Sequence, residues 1–198
     1  TFALDEYDKA IQTAESATGG ASWGDAGFLV AALGRDGQLA RVPASGGAPV
    51  PLMATAGVNQ GLRGRWPQVL PGSQAVIFTA SSSDDGAGNG VIEGVWLRTG
   101  RRAAVLHDGE FGRYVPSGHL VFVRRATLYA APMDPARLVL TGPAVPVLGP
   151  VAFDAANGGL PFGVSATGTA VLLTGEWPWQ PDAGASARDA APRPSATL

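Results

Sequence analysis

The chain of 198 residues has no cysteine, which excludes disulfides, thiolate metal sites and thiol nucleophiles in one step. That absence fits either side of a bacterial membrane and leaves the compartment open. Charge is scarce too. Lys and Arg number 14 against 16 Asp and Glu, a net charge of −2. Sequence-independent nucleic-acid binding needs clustered cations that displace counterions, so nucleic acid is not an expected partner. No apolar run reaches the ~20 residues that span a bilayer, so direct membrane insertion is not expected either. A serine hydrolase would need a Gly-x-Ser-x-Gly elbow on a strand-to-helix turn. The nearest strings, residues 163–167 (GVSAT) and 115–119 (VPSGH), break that pattern. The chain starts TFALDEYDKA, without an initiator Met or a basic-then-apolar leader, and is expected to be a piece of a longer product.

What is abundant is glycine (28), proline (16) and apolar residues (45%), the mixture of a chain that turns often between short strands and still fills a core. The stretch Arg65 to Ala80, RWPQVLPGSQAVIFTA, supplies the organising pattern: an aromatic residue, then a Pro/Gly turn, then an apolar strand-type run. The same order appears at SWGDAGFLVA (22–31), RYVPSGHLVFV (113–123) and PFGVSATGTAVLL (161–173). The openers Trp23, Trp66, Tyr114 and Phe162 recur at intervals of roughly 40–50 residues, the period of four-stranded propeller blades. The expected fold class is therefore all-β, a partial β-propeller of about three complete four-stranded blades with incomplete blades at both ends.

Residues 1–15 (TFALDEYDKAIQTAE) repeat the apolar-pair, turn, apolar-pair order of residues 39–52 and are expected to be the outer hairpin of a preceding blade. Complete blades are expected at 19–53, 62–107 and 110–150, and an incomplete one at 151–176. Residues 180–198 are rich in Ala, Gly, Pro, Ser and Arg with almost no large apolar side chain, so they are expected to form a disordered tail. Propellers generally close with 4–8 blades, and an open arc leaves sheet edges uncovered, so the isolated chain is expected to self-associate.

Several residues could carry chemistry. Asp84, Asp85, Asn89 and Glu93 offer hard oxygen ligands for Ca²⁺, but their spacing departs from a calcium loop, and a solvated loop is the favoured reading. Gly86 to Gly90 imitates a phosphate loop in letters without a helix behind it. No cofactor and no metal site is expected. His107, within the run HDGE, and His119 are read as strand-end and turn residues. Arg98, Arg101 and Arg102, with Arg124 and Arg125 apart from them, could grip a carboxylate or phosphate, and Arg124–Arg125 is read as solvated charge. Trp177 and Trp179 are either a stacking platform or a cover for an incomplete edge. The recurring openers are read as packing between blades, because every blade must bury the same face against its neighbour. The loop at 81–90, which only the second repeat carries, is the expected first place for binding, with Asp84, Asp85, Asn89, Trp177 and Trp179 as candidate binding residues.

Residues 20–52 (GASWGDAGFLVAALGRDGQLARVPASGGAPVPL), the RWPQVLPG run and RYVPSGHLVFVRRATLYAAPMDP resemble the TolB-type propeller repeats attached to bacterial serine/threonine protein kinases. The turns read Gly-Asp-Ala-Gly, Pro-Gly-Ser and Pro-Ser-Gly where such repeats usually have Pro-Asp-Gly. The resemblance covers residues 19–174 and implies a non-catalytic ligand- or protein-binding sensor module on the extracytoplasmic side of the membrane. No Gly-rich loop with a strand Lys, HRD or DFG is present, so phosphotransfer would belong to another domain. Two other settings share such repeats: a TolB-like periplasmic interaction protein, and the gating propeller of a prolyl-oligopeptidase-like hydrolase.

Overall fold

The computed structural model describes residues 19–34, 37–52, 62–82, 90–153, 159–165 and 167–175; the readings for 1–15, for 180–198 and for Trp177 and Trp179 lie outside them. The first antiparallel meander holds β1 (Ala21–Gly24), β2 (Phe28–Leu33), β3 (Gln38–Pro43) and β4 (Val50–Pro51). The second holds β5 (Leu62–Val69), β6 (Ala75–Ser82), β7 (Val91–Trp96) and β8 (Arg102–His107). In the third, β9 (Glu110–Val115), β10 (His119–Arg124) and β11 (Thr127–Asp134) are completed by β12 (Val139–Leu140) and β13 (Val145–Leu148), both paired to β11. A two-stranded unit of β14 (Phe162–Val164) and β15 (Ala170–Leu172) follows. Among the described residues the architecture is an all-β partial propeller of three blades and the inner half of another.

The middle strands are apolar on both faces because each blade is sandwiched between neighbours, and side chains alternate along a strand. Along β6, Val76, Phe78 and Ala80 enter one core with Phe28, Val30, Ala32 and Leu39 of the first blade. The intervening Ala75 and Ile77 enter a second core with Leu120, Phe122, Ala131 and Leu138 of the third blade. A one-residue slip would exchange the two sets, which fixes the register. Phe111, Val123 and Leu128 of the third blade pack with Val151 and Leu160, and with Phe162 and Leu172 of the half blade.

The inner strands carry a repeat that the aromatic openers only half reveal. Arg65 pairs with Thr79 and Gln68 with Ile77, so Trp66 and Pro67 oppose Phe78 alone. Glu110 pairs with Val123 and Arg113 with Val121, so Phe111 and Gly112 oppose Phe122 alone. Both are β-bulges whose first residue is left-handed, at φ 54° for Trp66 and 52° for Phe111. Trp66 is thus the counterpart of Phe111, which it meets edge-on at 5.5 Å. It is not the counterpart of Trp23 or Tyr114. Those two sit one residue before the pairs Gly24–Phe28 and Val115–His119 that close their hairpins. The equivalence of all four openers is corrected accordingly: a shared position in chain order does not survive an inserted bulge.

Candidate functional site

The inner strands are stitched together by side chains from one blade bonding the backbone of the next. The Val69 N–H donates to Ser22 Oγ at 3.0 Å. One blade further on, the Tyr114 N–H donates to Gln68 Oε1 at 2.7 Å, and Gln68 Nε2 donates to the Tyr114 carbonyl at 2.9 Å. Ser22 pairs with Val30 and Gln68 with Ile77, so the two links occupy corresponding places in their blades. The first two turns are locked as well: the Asp25 N–H donates to Ser73 Oγ at 2.8 Å and the Gly72 N–H to Asp25 Oδ2 at 3.1 Å.

This stitching holds open a cavity of about 340 Å³ at the end of the inner strands, with walls from all three blades and the half blade. Trp23 and Tyr114 supply the aromatic surface, and Leu70, Pro71, Pro116 and Val164 the aliphatic remainder. Gln68, Asp25 and Ser165 also reach it, and all three carry prior commitments. Gln68 and Asp25 tie the blades together as described, while Ser165 Oγ lies 2.9 Å from Thr167 Oγ1 and accepts the Thr169 N–H at 3.0 Å. The cavity therefore offers shape and apolar contact with a few polar atoms. Two of the openers read as packing residues, Trp23 and Tyr114, also form its wall.

A second cleft, of about 400 Å³, lies at the outer part of the second blade and is lined by Gln74, Trp96, Arg98, Thr99 and Arg101. Arg101 stacks over the Trp96 ring at 4.3 Å, and Trp96 Nε1 donates to the Ala136 carbonyl of the third blade at 3.1 Å.

The other expected residues fall as follows. The Glu93 carboxylate is engaged by the Arg102 Nε and Nη2 donors in a largely buried pair, which removes Glu93 from the hard-ligand set and Arg102 from the basic cluster. Asp84, Asp85 and Asn89 lie outside the described residues. The loop they belong to joins β6 to β7 at Ser82 and Val91. Strand order and antiparallel pairing put those ends opposite the Pro71–Ser73 turn and the axial cavity. Arg124 is partly exposed and also engaged: its Nε donates to the Asp108 carbonyl at 2.7 Å and lies 3.5 Å from the Asp108 carboxylate. Arg125 is exposed in the two-residue turn after β10. His107 ends β8, and His119 opens β10 with its Nδ1 2.9 Å from the Ser117 carbonyl.

Sequence reasoning passed over Arg113. This arginine of β9 donates from Nη1 to the Trp66 carbonyl at 2.6 Å and to the Gly112 carbonyl at 3.1 Å, and its guanidinium stacks over Phe111 at 4.4 Å. Burial pushes it down to about 10, which leaves it charged at neutral pH. Its only sequence signal is a basic residue beside an aromatic opener.

No protein-family model and no curated protein matches the chain. Solved structures match its fold. They include the calcium-binding protein regucalcin from Agrobacterium tumefaciens, at 17% identity and TM-score 0.53 over 76% of this chain and 50% of that one. TolB from Acinetobacter baumannii matches at 20% identity and TM-score 0.51, over 77% and 36%. A puromycin-hydrolyzing peptidase from Mycobacterium tuberculosis matches at 14% identity and TM-score 0.53, over 76% and 34%. The chain thus spans half or less of each, and what is shared is the propeller fold.

Proposed function

We propose that the chain is a non-catalytic binding module that takes a ligand or a protein segment at the axial cavity. The observation that carries this reading is the cavity itself: four inner-strand ends converge on an aromatic-walled opening whose polar lining is spent on holding the blades in place. Apolar concave surface with few polar atoms suits recognition. Acyl or phosphoryl transfer would need a nucleophile paired with a base, and Ser165 instead bonds Thr167 and Thr169. The sequence resemblance supports a setting outside the bacterial inner membrane, as the propeller region of a serine/threonine protein kinase. TolB-like periplasmic interaction protein and peptidase gating propeller are the runner-up settings, and each would use the same cavity.

The test is selection of a random dodecapeptide library on the immobilised chain, with counter-screening on Pro116→Trp and Tyr114→Ala, both checked by far-ultraviolet circular dichroism. Peptides captured by the wild type and lost in both variants support the reading. Capture that both variants retain, or no capture at all, overturns it. Capture that instead vanishes on deleting residues 83–89 would move the site to the opposite face.

A further inference from the structure

We propose that Arg113 is an oxyanion-binding residue on the inner wall of the propeller, taking a carboxylate or phosphate group of the ligand on the free edge of its guanidinium. The proposal deepens the axial-site reading and rests on it.

Two arginines have carboxylate partners among the described residues, while Arg41 and Arg101, like Arg113, stack on aromatic rings. Arg102 has the Glu93 carboxylate, and Arg124 has the Asp108 carboxylate and backbone carbonyls. Arg113 has two carbonyl oxygens and the face of a ring, with no carboxylate in ion-pair range among the described residues. A cation partly withdrawn from water without a counter-charge is costly, so a half-buried site that keeps one is suited to an anion.

Which edge remains matters most. Both bonds leave from Nη1, so Nε–H and the Nη2 hydrogens form the open pair of donors. Those parallel N–H groups are the fork that meets a carboxylate or phosphate with two bonds. Arg113 is half-buried, and no fully buried side-chain polar atom among the described residues lacks a partner, so these donors keep some contact with solvent. Arg113 is also held in place, because its carbonyl partner belongs to Trp66, the left-handed bulge residue of the neighbouring blade, and Phe111 beneath it is the corresponding bulge residue of its own. The adjacent residue on the strand, Tyr114, lines the axial cavity. Arg113 is not itself a lining residue of that cavity, so the anionic group would have to extend past Tyr114 along the inner strands to meet the fork.

The competing account is that Arg113 is a strut tying β9 to β5. The two are separated by following the Arg Nε–H resonances of ¹⁵N-labelled full chain by NMR, with Arg113 assigned by the signal lost in Arg113→Lys. The chain is titrated with succinate, with inorganic phosphate and with sodium chloride at matched ionic strength. The expected result is a saturable shift of the Arg113 Nε–H with Kd on the order of 1–10 mM, as suits one fork on a small anion. Chloride should leave that signal in place, and the Arg102 and Arg124 signals should stay still because their Nε groups are already engaged. Preference between succinate and phosphate names the anion. An Arg113 signal that does not move, or moves equally with chloride, overturns the proposal and leaves the strut. Should Arg113→Lys misfold, the Arg113 Nε–H is assigned instead by through-bond correlation to its own backbone in the wild type, so the titration itself uses only the wild-type chain. A silent Arg113 with peptide capture intact would remove the anion site and leave the binding module standing.

Discussion

Truncating Gln68 to Ala tests whether side-chain stitching, rather than core packing alone, holds the inner strands at their spacing. The substitution removes two inter-blade hydrogen bonds, at 2.7 and 2.9 Å, and leaves the Tyr114 N–H and carbonyl without their partners. At about 0.5–1.5 kcal/mol net per bond, the loss is about 1–3 kcal/mol, toward the upper end if water cannot reach the Tyr114 N–H. For a chain of this size that lowers Tm by about 2–12 °C. Ser22→Ala removes one bond from the preceding seam, to Val69, and should cost about half as much. The seams share no partner, so the double variant should equal the sum of the singles within about 0.5 kcal/mol. Urea denaturation followed by circular dichroism measures all three, and an unchanged m-value shows that the same surface is exposed on unfolding. A Gln68→Ala chain within about 0.5 kcal/mol of wild type, or a Ser22→Ala loss larger than that of Gln68→Ala, would refute the reasoning.

Gly37 and Gly34 are both left-handed, but a Cβ on Gly37 would stand 2.7 Å from the Gly64 carbonyl of the next blade, whereas one on Gly34 meets nothing within 4 Å. Gly34→Ala should cost only the left-handed penalty of about 1–2 kcal/mol, and Gly37→Ala distinctly more; equal losses by thermal denaturation would disprove the close-approach argument. Glu93→Gln should lower stability by about 1–3 kcal/mol by weakening the charge-assisted bonds from Arg102, and Arg102→Met added to it should recover part of the loss in urea titrations. Val171 and Leu173 are 70% and 50% exposed, and β15 pairs on one side only among the described strands. Light scattering should therefore find concentration-dependent association of the 198-residue chain, weakened by Val171→Lys; a monodisperse monomer at all concentrations contradicts this.

The sequence was legible where the physics is local. Continuous apolar runs such as Phe28 to Leu33 and Ala75 to Thr79, closed by Gly or Pro turns, specify strands that are buried on both faces, and their recurrence specifies blades. Even so, the turn Arg125–Ala126 after β10 carries two left-handed residues without a glycine, so its usual sequence mark is missing. The bulges were hidden for the same reason, since Trp66 and Phe111 stand where glycine would have announced them.

By itself, then, the amino-acid order determined the all-β class, the blade repeat and the glycine- and proline-marked turns, because backbone preference acts over a few residues. Tertiary structure alone decided the site. Ser22 with Val69, Gln68 with Tyr114 and Arg113 with Trp66 meet across 46 or 47 residues of chain, and each partner on one side is a main-chain atom that any residue type would supply. A bond to a backbone group leaves no mark on the partner's identity, so no pattern of letters could have marked the axial cavity or the open edge of Arg113.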